Sequence, residues 1–363
     1  MKKVLLITNR APDETGGRAE KIDTRTRLLT EENWEVVIGH VPKPYLRSFL
    51  PSIFRCWKLA RRENVDVINS ISNPLHLQVI GLIVSLLARI PWVAEFRDPM
   101  VNNPDREAGS LVTKLAKIVE KTTVSVADRV VWMDGIQMKK EYFTETYPHI
   151  SEEKFHELPF LGFEKSVFEE AQTTAYEDFT ITYAGSFYEG WIEPYNFLDG
   201  LEQYVEQYGR DLRIQFYGDW NDEYQRAVEA RDLEEIVYTH EFVPHEEIIP
   251  VLKGSDVTLF IASADPANKL SVPSKIWDYI ASRNPILVIG DPSFRIQHVV
   301  NDNGLGTVVH PDNPGGIADA IHAFRTGDSE YSPNAEIFDQ FSRRRFITEF
   351  ASQLDEVSTA DDG

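Results

Sequence analysis

Along the chain, short apolar runs alternate with helix-length amphipathic stretches, the pattern of an α/β protein built on parallel sheets. Strand-like runs fall near residues 4–8, 35–38, 65–69, 93–96 and 130–133, and again near 180–184, 214–217, 236–238, 257–260, 286–289 and 306–309. The richest local signal is 269–290, KLSVPSKIWDYIASRNPILVIG. Its Ser-Val-Pro-Ser run predicts a helix start, with serine oxygens accepting first-turn N–H groups and proline tolerated in that turn. Asn284 and Pro285 predict the stop, asparagine taking the left-handed position and proline being unable to continue. Ile286, Leu287, Val288 and Ile289 then read as a strand covered on both faces. The apolar stretch 75–94 is interrupted by Gln78, Arg89 and Pro91, so it reads as a buried helix followed by a strand rather than a membrane span.

At 363 residues the chain is long enough for two domains, each with its own core. Its formal charge of −21 argues against nucleic acid as a partner and suits a salt-rich cytoplasm. A single cysteine, Cys56, rules out an intrachain disulfide and any multi-cysteine metal site, as in a reducing cytosol. The basic start Met-Lys-Lys is followed by an apolar run too short for a signal peptide, which reads as a first strand.

Five places carry candidate chemistry. A helix start with Lys275 one residue in offers N–H groups, the positive dipole end and a cation to a phosphate, and Asp278 lies on the same face as Ser274, where it can accept from ribose hydroxyls. The alternative is that Lys275 and Asp278 are the solvated face of a helix packed through Ile276, Trp277 and Ile280. Gly16-Gly17 follows the first strand and Gly185-Ser186 ends the 180–184 strand; glycine there lets backbone approach a phosphate, although Gly16-Gly17 also reads as a plain loop. Arg97-Asp98 falls at a strand's C-terminal end, where open α/β sheets bind ligands, the alternative being a structural ion pair. Finally, 41–62 contains Lys43, Arg47, Arg55, Lys58, Arg61 and Arg62 without one acid, interleaved with Leu46, Phe49, Phe54, Trp57 and Leu59. It is either a basic amphipathic surface for an anionic membrane or a helix packed under the first domain.

The string VPSKIWDYIASRNPILVIG resembles the signature segment of the family-4 retaining glycosyltransferases. That resemblance implies the GT-B fold, two Rossmann-like α/β domains with parallel sheets facing a central cleft: 1–170 for the acceptor, 171–340 for a nucleotide-sugar, and a C-terminal helix within 341–363 returning to the first domain. LPFLGFEKSVF at 158–168 resembles the family's crossing between domains. The resemblance makes Asp278 the ribose ligand, in place of a longer glutamate, but puts Leu270 where the family's first acid stands. Ser186 stands where the family carries an arginine, so the donor diphosphate falls to Lys269, Lys275 and Arg283. Gly16, Gly17, Gly185, Ser186, Lys269, Ser274, Lys275 and Asp278 form the expected donor site, and Lys275, Arg97 and Asp98 the expected catalytic groups. The implied reaction needs neither catalytic metal nor cofactor: the leaving diphosphate accepts the acceptor's proton on one face of the sugar. Implied partners are a nucleotide-sugar and a glycan or lipid-linked acceptor, at a cytoplasmic location that includes the inner face of the cell membrane. Two alternatives remain, a nucleotide-sugar epimerase of the same fold and a binding protein without catalysis.

Overall fold

The computed structural model describes residues 1–10, 22–72, 74–98, 100–101, 110–136, 138–262, 265–329 and 331–359. The chain divides into two compact units, Met1–Leu161 with Arg343–Gly363, and Gly162–Ser342. Gly16 and Gly17 lie outside the described residues.

The first unit runs β1 (Lys2–Thr8), α1 (Ile22–Glu31), β2 (Trp34–His40), α2 (Tyr45–Arg62), β3 (Val67–Ile71), α3 (His76–Ala88), β4 (Trp92–Phe96), α4 (Leu111–Val126), β5 (Arg129–Met133), α5 (Lys140–Thr146) and β6 (Phe155–Leu158). Its six strands form one parallel sheet in the order β2-β1-β3-β4-β5-β6. Alternate residues serve opposite faces: Leu5, Ile7, Ile68 and Ala94 pack with α2, α3 and α4, whereas Val4, Val67, Val93 and Val131 pack with α1 and the last helix of the chain. β6 was not predicted, because Phe-His-Glu-Leu alternates only once and presents an edge strand with two partly exposed residues. The stretch 75–94 is, as predicted, a helix and a strand, α3 and β4. Among the described residues no helix is long and apolar enough to cross a membrane.

The second unit runs α6 (Lys165–Glu170), β7 (Thr180–Ala184), α7 (Tyr195–Tyr208), β8 (Arg213–Tyr217), α8 (Asp222–Glu229), β9 (Val237–His240), α9 (His245–Gly254), β10 (Val257–Ile261), α10 (Lys275–Ser282), β11 (Ile286–Ile289), α11 (Arg295–Val300), β12 (Gly306–Val309), α12 (Pro314–Thr326) and α13 (Ile337–Gln340). Its parallel sheet has the order β12-β11-β10-β7-β8-β9. Ile181, Tyr183, Ile214, Phe216, Leu259 and Leu287 pack with α7, α8 and α12 on one face; Phe260 meets Tyr279 of α10 on the other. After a break at Phe341–Ser342, α14 (Arg343–Thr359) falls within the 341–363 expected for a C-terminal helix; it belongs to the first unit, with Phe346, Phe350 and Leu354 in its core.

The stop of α10 differs from expectation. Arg283, not Asn284, takes the left-handed position, with φ of 63°. Asn284 instead donates its amide to the Leu252 carbonyl at 2.7 Å, near the end of α9, where that carbonyl otherwise has only a longer bond of 3.3 Å from Ser255 N–H. Asn284→Ala is therefore expected to lower stability by about 1 kcal/mol in urea unfolding, with an unchanged slope. No loss would show that Ser255 N–H and solvent satisfy that carbonyl equally well.

Candidate functional site

In an open α/β sheet, ligands bind beyond the C-terminal ends of the strands, at the point where the strand order reverses. In the second unit that point lies between β7 and β10, which are paired neighbours. Gly185 and Ser186 leave β7 there. The turn is pinned: Gly185 N–H donates to Tyr217 O at 2.9 Å, and Phe187 N–H donates to Asp219 Oδ1 at 3.0 Å. Gly185 has φ of 146°, and a Cβ on it would lie 3.3 Å from the Lys275 ammonium. A Cβ on Gly218, after β8, would overlap the Gly185 carbonyl oxygen. Gly218 thus permits a close backbone approach that any side chain would prevent, and Gly185 holds a backbone conformation that strains any other residue.

Lys275 opens α10 directly over this turn. Its Nζ donates to Tyr183 Oη at 2.9 Å and stands 4.3 Å from the centroid of the Tyr183 ring and 5.1 Å from that of Phe260. Tyr183 Oη donates in turn to Ser186 O at 2.7 Å. Burial raises the Tyr183 phenol far above its ordinary pKa, so it stays neutral and acts as a fixed dipole. Tyr279, likewise raised by burial, uses its hydroxyl to accept from Ala184 N–H at 2.9 Å and to donate to Ala184 O at 3.1 Å, tying α10 to the end of β7.

Two details of the helix start depart from expectation. Ser274 makes no capping bond, because it already has helical dihedrals (φ −60°, ψ −27°) whereas a capping side chain requires extended backbone. Ile276 and Trp277 N–H groups bond the Pro273 and Ser274 carbonyls, each at 3.2 Å. The cation therefore matters more here than the helix end. Ile276, Trp277 and Ile280 pack inward as predicted.

Asp278 Oδ2 lies 3.0 Å from His245 Nε2, at the start of α9. His245 was not foreseen, since only the tertiary fold brings α9 beside α10. Phe242, also unforeseen, is exposed beyond β9 and lies 3.7 Å from where a Gly218 Cβ would be. Lys269 is exposed on a turn, where its carbonyl accepts from Arg295 N–H at 2.9 Å. Arg283 sits at the far end of α10, its guanidinium 4.3 Å from the Phe338 ring centroid, roughly 12 Å of helix rise from Lys275. It is removed from the expected site. Arg210 and Arg231 pair with Asp232 and Asp199, and Arg213 stacks on Tyr238.

In the first unit the strand order reverses between β1 and β3, with β4 next to β3. Arg97 follows β4, and its Nη2 is 2.6 Å from Glu95 Oε1. Arg25 of α1, fully buried, holds Glu95 Oε2 at 2.8 Å and stacks 4.3 Å over Phe350. Burial alone would raise the Glu95 carboxyl, but the two arginines outweigh it and hold its pKa below the usual range. Two guanidiniums share one carboxylate, leaving one net positive charge at the C-terminal end of the sheet. Asp98 is half-buried in the following bend. Beside β1, Asn9 Nδ2 donates to Tyr45 Oη at 3.0 Å. Tyr45 in turn packs 4.3 Å from His76, whose pKa is lowered by burial.

Solved structures share this architecture over the whole chain. Sucrose-phosphate synthase from Thermosynechococcus elongatus is similar with a TM-score of 0.60 and 12% identity, over 100% of this chain and 98% of that one. Anabaena HepE in complex with UDP-glucose is similar with a TM-score of 0.60 and 14% identity, over 99% and 98%. The chain has the GT-B fold. The UDP-GlcNAc 2-epimerase of Methanocaldococcus jannaschii is also similar, with a TM-score of 0.57 and 12% identity over 98% and 100%. No family model matches this GT-B chain, and no curated protein does.

Glu95→Gln removes the shared charge between two guanidiniums and is expected to cost about 3–5 kcal/mol in urea unfolding at pH 7. The depressed carboxyl contributes stability that is present above the unfolded value of about 4.3 and is lost as pH falls through its lower folded value. The gap between wild type and variant should accordingly narrow below about pH 4. A gap that is small at pH 7, or constant with pH, would contradict the assignment.

Proposed function

We propose that the chain is a nucleotide-sugar-dependent glycosyltransferase acting with retention, its donor held by the second unit and its acceptor by the first. The observation that carries this reading is the Lys275 ammonium against Gly185 at the switch point of the second sheet. A diphosphate seated on the Gly185-Ser186 turn meets that cation directly. Phe242 offers its exposed ring to the base, and Asp278 accepts from the ribose hydroxyls while keeping His245, since a carboxylate has lone pairs for both. UDP and UDP-glucose are the first donors to try.

In the reaction the bond from the anomeric carbon to the diphosphate oxygen breaks and the acceptor oxygen bonds to that carbon on the same face. The acceptor's proton passes to the departing diphosphate. Charge grows on the diphosphate oxygens, where Lys275 stabilises it more in the transition state than in the bound donor. Arg97, held by Glu95, supplies the positive charge at the acceptor side, and Asp98 takes hydroxyl hydrogen bonds.

A second reading, epimerisation of a nucleotide-sugar, is supported by the comparable likeness to a 2-epimerase. Incubation with UDP-, GDP- and ADP-sugars, with and without added acceptor, separates the two by product analysis. Transfer requires the acceptor and gives a product of unchanged anomeric configuration; an isomerised donor formed without acceptor supports the epimerase. Binding without any turnover would leave a binding protein.

Lys275→Met keeps the aliphatic stem over Tyr183 and removes the charge. Turnover should fall by about 2–4 kcal/mol of transition-state stabilisation, with a smaller change in donor affinity. A loss under about tenfold would move this role to another cation. Asp278→Asn should weaken donor binding by about 1–3 kcal/mol in calorimetric titration, with the fold intact. Unchanged affinity removes Asp278 from the site.

A further inference from the structure

The helices on one face of the first sheet leave apolar side chains uncovered in a regular way. On α2, Leu46, Leu50 and Phe54 recur at helical spacing and are 98%, 72% and 62% exposed, while Ile53, Cys56 and Ala60 turn to the sheet. Phe49 and Trp57 pack partly against the core, so Leu46, Leu50 and Phe54 form the outer stripe. On α4, Leu111, Leu115 and Ile118 are likewise exposed, while Ala116, Thr123 and Val124 are buried. α3 lies between these two helices in the same layer, so at the usual 8–10 Å per helix step the stripes run about 20 Å apart. Both occupy the N-terminal halves of their helices. In a parallel α/β layer that is the end of the sheet where Arg97 and Asp98 stand.

Charge follows the same two helices. Arg47 lies beside the α2 stripe, and Lys58 and Arg61 continue it toward the helix C-terminus; Lys114 and Lys117 lie beside the α4 stripe, with Lys121 following it. None of these makes an ion pair among the described residues. The segment 41–62 has no acid, and the one acid of α4, Glu120, is buried and accepts from Tyr142 and Tyr147. A chain of net charge −21 thus turns two basic ridges with apolar crests outward on one side. An isologous contact with a second copy would set these cations against one another. An anionic bilayer offers them phosphate and gives the apolar crests an acyl boundary, as for interfacial amphipathic helices.

We propose that the first unit docks on an anionic membrane surface through the outward faces of α2 and α4. Leu46, Leu50, Phe54, Leu111, Leu115 and Ile118 enter the headgroup–acyl boundary, and the flanking lysines and arginines contact lipid phosphates. Resting on the transferase reading above, this makes the acceptor a lipid-linked one, presented at the end of the sheet that carries Arg97.

Cosedimentation of the full chain with phosphatidylcholine vesicles, with and without phosphatidylglycerol, tests docking without reference to activity. Wild type should pellet with anionic vesicles, less with neutral ones, and less again as added salt shortens the Debye length. A Leu50→Ser/Phe54→Ser/Leu115→Ser/Ile118→Ser variant and a Lys58→Glu/Arg61→Glu/Lys117→Glu variant should each lose about tenfold or more in partitioning, with nucleotide affinity and circular dichroism unchanged. Absence of pelleting, or equal pelleting of the variants, overturns the proposal. Self-association seen by light scattering and abolished by the serine variant, without vesicle binding, overturns it in favour of a second copy. Vesicle binding without transfer to any acceptor, lipid-linked or soluble, leaves docking standing and removes the transferase reading, whereas transfer to soluble acceptors without vesicle binding does the reverse.

Discussion

The approach of the Lys275 ammonium to the Gly185 turn is the contact on which the second unit's site depends. A lysine held between the faces of Tyr183 and Phe260 keeps its charge at the sheet's switch point rather than in bulk solvent. Its position is fixed from several sides: Tyr279 clamps both backbone groups of Ala184, and Asp219 fixes Phe187. Gly218 lets the neighbouring strand end close in. Each restraint is small by itself, but together they set where an anion can meet a cation in a chain whose overall charge would repel it.

The first unit meets the same difficulty by another route. Arg97 is oriented through a carboxylate that it shares with buried Arg25, so the excess of one positive charge is placed by a desolvated ion triad. Such a triad contributes less to stability than to geometry, because desolvation of its members offsets much of the attraction between them. Each unit thus holds a fixed cation at the C-terminal end of its sheet, in a chain of 58 acidic and 37 basic residues.

Much of this was legible in the sequence, and the exceptions have physical reasons. Every long buried strand announced itself as an apolar run, while the edge strand β6 did not, since one exposed face dilutes its pattern. Lys275, Gly185 and Asp278 were readable because a helix start, a strand-ending glycine and a one-turn spacing are local signals. His245, Phe242 and Arg25 were not, because each reaches its partner only through tertiary packing across roughly 20 to 70 residues of sequence. Capping by Ser274 failed as a local rule when the first turn tightened and took its own carbonyls as acceptors. The apolar crest of α4 escaped notice for a different reason: periodicity predicts an amphipathic helix but cannot tell which apolar positions the fold leaves uncovered.

In the proposed function, the second sheet's switch point binds a nucleoside diphosphate. Amide hydrogen exchange of the full chain, measured by mass spectrometry with saturating UDP, GDP or ADP, tests it most directly. The account predicts slowed exchange at residues 185–188, 218–219 and 269–279 with at least one nucleotide. Protection confined to the first unit, with those segments unchanged by a nucleotide shown to bind, would contradict it.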